Sequence, residues 1–555
     1  MLPEGFRRGV ATRFATCPPL GFFLRKIGMR GDGPTAGRAL PLTTVRVAAV
    51  LVGMRSDNEL YRRLRELPAG RLLAEEVPAF DALTGRERVA RVALIRAVGT
   101  VVSACADERL KARARDWLRA LMKDGEEKVR RYAAAALPKF QAGAAEESAL
   151  LEAMKASHED RERRRLAQSL ERVGGEATLR AAESGQTPGV SVRKVKAGLA
   201  RKSDGSALRM EAEVPGASGR VVHLRCRRGL ESFVAEEAAA AEFKVREVRA
   251  GCVIAESAAA FTLAKAYRMR CFDTLAFPLG LIKNPSSAGA PDALAALIAG
   301  RDAVALMKAL CGGPPRYRIS LAGASAALME RIAEAAYALE PGVLNDPKSA
   351  VFSIDVTSGA AGALVELRPR VTPNPRMHYR VDAVDAASHP PLAACLARAS
   401  SGADGVIWDP FCGSGLELVE RAFLGGVTRL VGTDIDPAAV EMARANFAAA
   451  QISGVKAEFL ACDFRDSPRL ASLSPGTVSL VITNPPLGRR VRVPDLHGLF
   501  ADLFKVSAQV LRPGGLLVFI NPLRLEPEGL PLALQHRRTV DLGGYDCRLE
   551  VYRRS

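Results

Sequence analysis

The chain has 555 residues, more than one hydrophobic core usually organises, so we expect two to four domains. Its 79 Lys and Arg residues outnumber 61 Asp and Glu residues and give a formal net charge of +18, which favours a polyanionic partner such as nucleic acid; a proteome rich in arginine and alanine is the alternative explanation. The ten cysteines lack the close spacing of zinc or redox motifs and no run of eighteen apolar residues occurs, so we expect no metal site, a reducing cytoplasmic location and no membrane span.

The first 38 residues are rich in arginine and poor in acidic residues, with a short apolar stretch at 20–24. This composition superficially suits a targeting segment. A disordered basic tail, or an over-extended start codon, is the interpretation that we favour.

Residues 39–183 carry apolar residues at the three-to-four spacing of helices. The segments RVALIRAVG, VRRYAAAALPKF and RRRLAQSLERVGG each combine basic residues with an Ala/Leu face. Aligning Val98, Leu137 and Leu170 gives spacings of 39 and 33 residues, close to the period of two-helix repeats that stack into a solenoid. We therefore predict a HEAT-like helical repeat domain whose surface binds a protein partner or a phosphate backbone. An irregular helical bundle without a binding role is the alternative.

Residues 184–220 are rich in Gly, Ser, Pro and Lys and are predicted to form a linker. Its RKVKAGLARK segment either contacts phosphate or is solvated. From 221 to 375, strand-like runs such as VVHLRC and GALVELRP alternate with helical runs such as LESFVAEEAAAAEF. This mixture predicts an α+β domain with helices on one face of an antiparallel sheet.

Residues 376–555 alternate strictly between short apolar strands and helices and end in a hairpin. Strands covered by helices in this way predict a parallel, doubly wound α/β sheet of the Rossmann-like type, closed by antiparallel strands. The predicted parallel strands are GVIWDP, RLVGTDI, AEFLACD, SLVITNPP and GLLVFINP.

The first of these strands leads into a loop from Asp409 through Gly413 to Gly415 that opens a helix. Glycines let the backbone pass close to a ligand, and the methionine end of a nucleoside cofactor needs N–H donors for its carboxylate and an acidic group near its ammonium. The spacing differs from G-x-G-x-x-G and from G-x-x-x-x-G-K-[ST], which disfavours dinucleotides and nucleoside triphosphates. We therefore expect S-adenosylmethionine.

Two aspartates end the following strands. Asp434 in RLVGTDIDP can accept both ribose hydroxyls in one bidentate contact, whereas Asp436 is predicted to cap the next helix. Asp463 in FLACDFRD could accept a hydrogen bond from the amino group of adenine. Capping a turn is its alternative role.

An Asn484-Pro485-Pro486 turn follows the fourth strand in VITNPPLGRR and predicts a pocket for a planar amino group. The Asn484 amide and the Pro485 carbonyl can accept both hydrogens of an exocyclic amine, while the proline rings keep the turn stiff. An amine held in line with a sulfonium methyl can attack it as a proton departs. No metal or covalent nucleophile is required.

Together, RMHYRVDAVDAASHPPLAA, WDPFCGSGLELVERA, VGTDIDPAAVEMARANF, CDFRD, VITNPPLG and VLRPGGLLVFINP resemble the RNA methyltransferases that carry a THUMP domain and methylate guanosine at N2. The segments RRGLESFVAEEA, VRAGCVIAES and AYRMRCFDTLAFPL are similar to the ferredoxin-like part of those enzymes, so the resemblance extends from about 220 to 555. It implies a class I S-adenosylmethionine-dependent methyltransferase domain at 376–555 and a ferredoxin-like, THUMP RNA-binding region at 221–375.

The resemblance also implies catalytic roles for Asn484 to Leu487. The chain departs from the family at Leu487, where an aromatic that stacks on the base is common, and at Leu416, where threonine is common. Arg489 and Arg490 are predicted to meet a phosphate beside a flipped nucleotide, and a solvated pair is an equal alternative. The predicted cofactor residues are His389, Asp409, Phe411, Gly413, Gly415, Asp434, Ile435, Asp463 and Phe464.

We therefore expect an enzyme that methylates the exocyclic amine of a base in structured RNA, first guanine N2 in transfer or ribosomal RNA. The same pocket serves adenine N6 in RNA or DNA and the side-chain amide of glutamine in proteins. A non-catalytic RNA-binding or assembly factor with a vestigial methyltransferase fold is the other class. The intact Asp434, Asp463 and Asn484 argue against that class.

Overall fold

A computed structural model describes residues 57–140, 143–203, 205–216, 219–381, 388–489 and 492–555. The predicted basic tail at 1–38 lies outside these ranges. Within them, the chain forms a helical region, a central region around a mixed sheet and a C-terminal region around a second sheet. None of the helices in these ranges is both long and apolar enough to cross a lipid bilayer.

The helical region packs around a core of its own, built from Leu, Val and Ala side chains. Its helices are α1 (Asp57–Arg65), α2 (Ala69–Arg71), a π-helical turn (Leu72–Glu76), α3 (Val77–Asp81), α4 (Gly85–Ala90), α5 (Ala93–Ala104), α6 (Glu108–Leu121), α7 (Glu127–Ala136), a 3-10 turn (Leu137–Lys139), α8 (Ala144–Ala156), α9 (Asp160–Val173), α10 (Glu176–Glu183) and α11 (Val192–Ser203).

The three similar segments of the sequence lie on α5, α7 and α9 or directly after them. Their aligned residues Val98, Leu137 and Leu170 are all fully buried in this one core. The Ser169 hydroxyl on α9 donates to the Ala134 carbonyl oxygen on α7 at 2.7 Å, which holds these two helices side by side. Regular spacing along the sequence therefore corresponds to helices that share one apolar core.

The segment predicted as a linker is helical over α11 instead, and that prediction is wrong for 192–203. Arg193 is buried, with Nη2 2.7 Å from Glu330 and Nε 3.2 Å from Glu334, both in the central region. Arg193 thus neutralises carboxylates inside the protein, and phosphate contact or solvation of the remaining basic side chains of the segment stays a prediction. Further ion pairs join Lys194 to Glu171 and Glu330, Lys196 to Glu183, and Arg201 to Asp346.

The central region contains α12 (Glu231–Ala240), α13 (Leu263–Ala266), α14 (Ala290–Ile298), α15 (Arg301–Ala309) and α16 (Ala326–Leu339). Its strands are β1 (Ala207–Leu208), β2 (Val221–Arg225), β3 (Phe243–Arg249), β4 (Cys252–Ser257), β5 (Thr274–Ile282), β6 (Cys311–Gly312), β7 (Arg316–Leu321), β8 (Leu344–Asn345), β9 (Phe352–Gly359) and β10 (Gly362–Pro369).

Within 219–381, eight of these strands form one sheet in the order β3-β4-β2-β5-β10-β9-β7-β8. The sheet is mixed rather than wholly antiparallel as predicted, because β7 runs parallel to both β8 and β9. The helix α16 connects β7 to β8, and a helical crossover is what joins parallel neighbours. The α+β character of the region agrees with its sequence pattern.

The C-terminal region contains α17 (Pro390–Ala399), α18 (Leu416–Ala422), α19 (Pro437–Ala449) and α20 (Leu496–Val510), with 3-10 turns at Pro375–Met377, Phe464–Arg469 and Ala471–Leu473. Its strands are β11 (Gly405–Asp409), β12 (Val427–Asp434), β13 (Lys456–Ala461), β14 (Val478–Thr483), β15 (Leu511–Asn521), β16 (Leu532–Asp541) and β17 (Asp546–Arg554).

Within 388–489 and 492–555, these strands form a sheet in the order β13-β12-β11-β14-β15-β17-β16. The first five are parallel to one another, and β17 runs antiparallel to both β15 and β16. The predicted doubly wound sheet closed by a hairpin is confirmed. The strand order reverses between β11 and β14, and ligands of such sheets bind at the carboxyl ends of the strands beside that point.

The central and C-terminal regions are joined by one continuous apolar core. At its edge, the Arg270 guanidinium bonds both carboxylate oxygens of Glu420 on α18, at 2.6 and 2.8 Å. Arg398 on α17 reaches back to Glu237 on α12 at 2.9 Å. The central region therefore supports the helices that carry the C-terminal loops.

Candidate functional site

The loop after β11 is shaped by two glycines in the left-handed conformation. Gly413 has φ +50° and Gly415 has φ +80°, which other residues adopt only with strain. A Cβ at Gly415 would also lie 3.2 Å from the Ala443 Cβ and 3.3 Å from its Cα on α19. Glycine at this position therefore lets the loop lie directly against the next helix, while the predicted approach of its backbone to a cofactor stays a prediction.

Asp434 at the end of β12 is tied to this loop. The Gly413 N–H donates to Asp434 Oδ2 at 2.9 Å, and the Asp436 N–H donates to Oδ1 at 3.0 Å. Each carboxylate oxygen keeps a further lone pair, and the residue is only half-buried. Asp434 thus presents an anchored hydrogen-bond acceptor at the carboxyl ends of the parallel strands, beside the point where the strand order reverses. Asp436 caps α19 by accepting from the Ala438 N–H at 2.9 Å, as predicted.

Asp409 ends β11 and is fully buried. Its Oδ1 accepts from the Phe411 N–H at 3.0 Å, whereas Oδ2 has no hydrogen-bond partner among the described residues. Burial, reinforced by the nearby charge of Glu417, raises the pKa of the Asp409 carboxyl well above its usual range. A cationic group bound beside Oδ2 would supply the missing partner and favour the ionised carboxylate.

Two phenylalanines form an apolar wall beside these acids. The rings of Phe411 and Phe464 lie 4.8 Å apart between centroids with an interplanar angle of 53°. Ile435, directly after Asp434, is 77% exposed although it is apolar. A planar base would cover the exposed Ile435 side chain, which water leaves unfavourably hydrated, whereas Phe464 is already buried.

Asp463 follows β13 and caps the 3-10 turn after it. Its Oδ1 accepts from the Arg465 N–H at 2.9 Å, and its Oδ2 lies 3.0 Å from the Arg465 guanidinium. The capping role considered for this residue is therefore present. Its half-buried carboxylate keeps free lone pairs beside Phe464, so the second role stays available.

Asn484 lies immediately after β14, across the strand-order reversal from Asp409. Its Nδ2 donates to the Ser388 hydroxyl at 2.8 Å, while its buried Oδ1 has no partner among the described residues. An unpaired buried acceptor costs about 1–3 kcal/mol, so it marks a place where a donor is expected to bind. Pro485 is buried, and the half-buried Leu487 packs against the main core.

Ser388 and Glu417 belong to this site but were not predicted from the sequence. The Ser388 hydroxyl donates to Glu417 Oε1 in the first turn of α18. Glu417 is almost completely buried, and burial raises its pKa to about 7. In the sequence it resembles an ordinary acidic residue at a helix start; the one available signal is that it stands among apolar residues in LELVERA.

His389 precedes α17, and its Nδ1 lies 3.5 Å from Asp273 Oδ1 of the central region. Burial, followed by the charges of Arg227 and other arginines, lowers the pKa of the imidazole to about 4, so the ring is neutral at physiological pH. His389 therefore stands beside Ser388 at the border between the two regions. Its contacts with a cofactor remain a prediction.

The guanidinium of Arg489 stacks on the Tyr545 ring, 4.0 Å from its centroid. Both residues are near the Asn484 turn, one directly after it and the other in the hairpin between β16 and β17. Arg490, predicted beside Arg489, lies outside the described residues. Arg489 is thus an exposed cation on an aromatic support, and both its contact with a phosphate and the solvated alternative stay predictions.

Comparison with known proteins gives three kinds of similarity. Residues 377–537 match the family described as RMKL-like, methyltransferase domain. The chain is 37% identical over 132 residues to a ribosomal protein L11 methyltransferase of Geobacter metallireducens, covering 24% of this chain and 37% of that protein. It is 30% identical over 139 residues to the protein named "Probable tRNA (guanine(10)-N2)-dimethyltransferase" of Methanothermococcus thermolithotrophicus, covering 24% of this chain and 81% of that protein.

Among solved structures, the crystal structure of TrmN from Thermus thermophilus is 24% identical with a TM-score of 0.47, covering 60% of this chain and 99% of that one. The matched part of the chain thus spans little more than a third of the Geobacter relative and most of the Methanothermococcus relative. The matches to these two curated relatives each cover about a quarter of this chain.

Proposed function

We propose that this chain, which belongs to the RMKL-like family of S-adenosylmethionine-dependent methyltransferases, methylates the exocyclic amine of a base in structured RNA, first guanine N2 of transfer or ribosomal RNA. The single observation that carries this proposal is the buried Oδ1 of Asn484, which has no partner among the described residues, in the Asn-Pro-Pro turn at the carboxyl edge of the parallel sheet. This acceptor fits the hydrogen of a planar amine.

The described residues fit S-adenosylmethionine. Asp409 offers an unpartnered buried oxygen for the amino group of its methionine end, and Asp434 offers an anchored acceptor pair for its ribose hydroxyls. Phe411, Phe464 and Ile435 supply an apolar wall for its adenine. In this proposal Gly413 and Gly415 line the loop, while His389 and Asp463 flank the two ends of the cofactor.

The chemistry requires only orientation by the protein. When bound, S-adenosylmethionine would supply an electrophilic methyl group together with its leaving group, the sulfonium sulfur, which would take the electron pair of the broken carbon–sulfur bond as the amine nitrogen bonds to the methyl carbon. Asn484 Oδ1 and the Pro485 carbonyl hold the two amine hydrogens, one of which leaves as a proton to water. Pro486 and Leu487 keep the turn in place beside the base.

We propose RNA as the substrate class for two reasons. The net charge of +18 favours a polyanion, and the sequence of the middle third of the chain resembles the RNA-binding region of THUMP-containing methyltransferases. We assign to the central region, residues 221–375, the RNA-docking role of a THUMP-like, ferredoxin-like region. We assign to the helices of residues 39–183 a HEAT-like role in binding RNA or a protein partner. A cytoplasmic location agrees with this substrate.

The Arg489 guanidinium, which lies on the Tyr545 ring, supplies a planar group that the Asn-Pro-Pro-Leu turn itself lacks. Families with an aromatic at the position of Leu487 stack it on the target base, and such stacking contributes about 1–3 kcal/mol per base. Here a guanidinium plane supported by an aromatic ring lies just beyond the turn. We propose that Arg489, together with Arg490, meets the phosphate or the base beside the flipped nucleotide.

The test incubates the full chain and methyl-labelled cofactor separately with total transfer RNA, ribosomal RNA and DNA, and then digests each pool to nucleosides for mass spectrometry. Labelled N2-methylguanosine in one RNA pool is the expected result. N6-methyladenine instead would reassign the base while keeping the amine chemistry. No label in any pool, with cofactor bound, would overturn the proposed activity.

The Asn484→Ala variant tests the observation on which the proposal rests. We expect a loss of turnover of about 100-fold or more, because only the orientation of the nucleophile is removed, and a cofactor Kd within about twofold of the wild type. Asn58→Ala, an exposed substitution on α1, is the matched control. Equal losses of turnover and cofactor binding would remove Asn484 from the catalytic role.

A further inference from the structure

A chain of two hydrogen bonds runs from the candidate catalytic amide into the protein interior. Asn484 Nδ2 donates to Ser388 Oγ at 2.8 Å, and the Ser388 hydroxyl donates to Glu417 Oε1. The three residues are far apart in sequence: the residue numbers of Ser388 and Asn484 differ by 96, and those of Ser388 and Glu417 differ by 29. They meet only because β14, α18 and the segment before α17 converge at the strand-order reversal.

The direction of these hydrogen bonds is set from the buried end. Above about pH 7, where the Glu417 carboxyl is ionised, it can only accept, so it obliges the Ser388 hydroxyl to donate its one proton inward. The lone pairs of Ser388 Oγ then remain as acceptors, and the part of an asparagine amide that can donate to them is Nδ2. The amide is thereby fixed with Nδ2 towards Ser388 and with the buried Oδ1 on its other side.

The opposite orientation of the amide would defeat the proposed reaction. If Nδ2 faced the crevice, Asn484 would present two N–H donors to an amine that also donates, and no hydrogen bond could form. An asparagine without a fixed neighbour populates both orientations, since its oxygen and nitrogen have nearly the same shape. The bonds behind Asn484 therefore account for an Oδ1 that has no partner within the part of the chain that the structure describes.

The surroundings of Glu417 show that its role is polar rather than a matter of filling space. It is 3% exposed and every residue of α18 is buried. Its side-chain donor is Ser388, and the titratable groups close enough to interact with its charge are the carboxyls of Asp409 and Glu420, the Tyr379 hydroxyl and the Cys412 thiol. A buried acid among other acids is unfavourable for folding, and an apolar residue would pack there at lower cost.

We propose that Ser388 and Glu417 are positioning residues that set the Asn484 amide with its oxygen towards the substrate amine. This inference rests on the proposed function, because the direction of the amide matters only for a group that donates hydrogens. It goes beyond the Asn-Pro-Pro motif, because the orientation of the acceptor then depends on β14, α18 and the segment before α17 and not on one turn alone. A specific consequence is that substitutions behind Asn484 alter turnover without touching either ligand.

The first test uses binding and needs no RNA. Sinefungin carries an amine where S-adenosylmethionine carries its transferable methyl, and S-adenosylhomocysteine carries neither group. We expect the wild type to bind sinefungin more tightly than S-adenosylhomocysteine, and Ser388→Ala to reduce that preference about tenfold, as for one hydrogen bond to a charged donor. Ser388→Thr keeps the hydroxyl and is expected to retain the preference.

Glu417→Gln tests whether the buried acid sets the direction of the two hydrogen bonds. A carboxamide can either accept from or donate to Ser388, so both orientations of Asn484 become accessible and the preference is expected to fall between those of the wild type and Ser388→Ala. Glu441→Gln, an exposed acid on α19, is the control and is expected to match the wild type. Thermal unfolding of each variant identifies any that fails to fold.

The outcomes separate the two proposals. A wild type that prefers sinefungin, with the preference lost in Ser388→Ala, supports the positioning role even if no RNA pool accepts a methyl group. Where turnover is found, kcat is expected to fall with the same ranking of variants at unchanged cofactor Kd. A folded Ser388→Ala with wild-type preference and wild-type kcat would overturn the inference, and wild-type behaviour of Glu417→Gln alone would remove Glu417 from it.

Discussion

Asp434 is the residue whose proposed role can be separated most cleanly from folding. Its two oxygens are already held by the N–H groups of Gly413 and Asp436. In Asp434→Asn one oxygen becomes an N–H2 donor that faces an N–H group and can no longer accept from a ribose hydroxyl. We expect the dissociation constant of S-adenosylmethionine to rise about tenfold or more, measured by isothermal titration calorimetry.

The neighbouring Asp436→Asn provides the matched control. Asp436 is exposed and caps α19, and asparagine caps a helix almost as well as aspartate. Its cofactor affinity is therefore expected to stay within about twofold of the wild type. Equal affinities for the two variants would show that the Asp434 carboxylate does not hold the ribose.

Glu417 also predicts a pH dependence of stability. Its pKa is raised by burial from 4.5 to about 7, so between these values the folded protein holds a proton that the unfolded chain has released. The associated stability is fully present below pH 4.5 and is lost as the pH rises through about 7, by on the order of 3 kcal/mol. In Glu417→Gln this loss should be absent.

The measurement is chemical denaturation of wild type and Glu417→Gln at several pH values between 4.5 and 8. The expected result is a difference in the free energy of unfolding between the two proteins that changes by about 3 kcal/mol across this range. Glu441→Gln, exposed on α19, should follow the wild type. Parallel curves for wild type and Glu417→Gln would contradict the raised pKa.

For single residues, the sequence predicts a role only where that role depends on neighbouring positions in the chain. Asn484, Asp434 and Gly415 stand in short motifs whose chemistry is readable from neighbouring residues, and the structure places all three at the carboxyl ends of the parallel strands, where their roles stay predictions. Ser388 and Glu417 acquire their roles only through contacts across the fold. No spacing rule connects them, so sequence reasoning could not find them.

Among the elements, the strands and helices of the C-terminal region agree with their sequence patterns, whereas β5 and α11 do not. The sequence of β5, TLAFPLGLI, contains Pro278 and Gly280, which normally argue against a strand. The sheet accommodates them because the register with β10 shifts between Val365 and Glu366, opposite these two residues. A bulge of this kind depends on the partner strand and is invisible in the segment itself.

The helix α11 leads to a prediction about the role of its basic residues. The Arg193 side chain is 3% exposed and its guanidinium meets Glu330, Glu334 and the Asn345 carbonyl oxygen. Arg193→Ala leaves two half-exposed carboxylates without their shared partner, and we expect a loss of about 2–3 kcal/mol in the free energy of unfolding. RNA affinity should stay unchanged, since this side chain faces the protein.

Denaturation and a salt-dependent RNA binding assay test this expectation together. Arg62→Ala, exposed on α1, is the control and should alter stability by less than about 0.5 kcal/mol. A large fall in RNA affinity with unchanged stability would instead restore the phosphate-binding interpretation of RKVKAGLARK. The two readouts therefore distinguish an ion pair inside the protein from a contact with nucleic acid.

In the whole molecule, the central and C-terminal regions share one apolar core and a polar clamp. The clamp consists of Arg270 from the central region, Glu420 on α18 and the hydroxyl of Tyr379, which donates to Glu420 at 2.7 Å. The Arg270 guanidinium also donates to the Arg376 carbonyl oxygen at 2.6 Å. Because α18 carries Glu417 as well, this clamp fixes the helix on which the proposed positioning residue lies.

The clamp predicts that the two regions unfold as one unit and that Arg270 is needed for it. Arg270→Met leaves the Glu420 carboxylate, 1% exposed, without a cation, and we expect a loss of about 3–5 kcal/mol in urea denaturation. The double variant Arg270→Met with Glu420→Gln removes the stranded charge and should recover a large part of that loss. Arg331→Met, from an exposed pair with Asp292, should cost less than about 1 kcal/mol.

This comparison decides between two descriptions of the interface. If the double variant recovers stability and unfolds in one transition, the shared apolar core joins the regions and the clamp mainly requires that its buried charge be neutralised. If it unfolds in two transitions, the ion pair itself couples the regions. A single Arg270→Met variant as stable as Arg331→Met would contradict both descriptions, because a carboxylate as buried as that of Glu420 cannot lose its cation without cost.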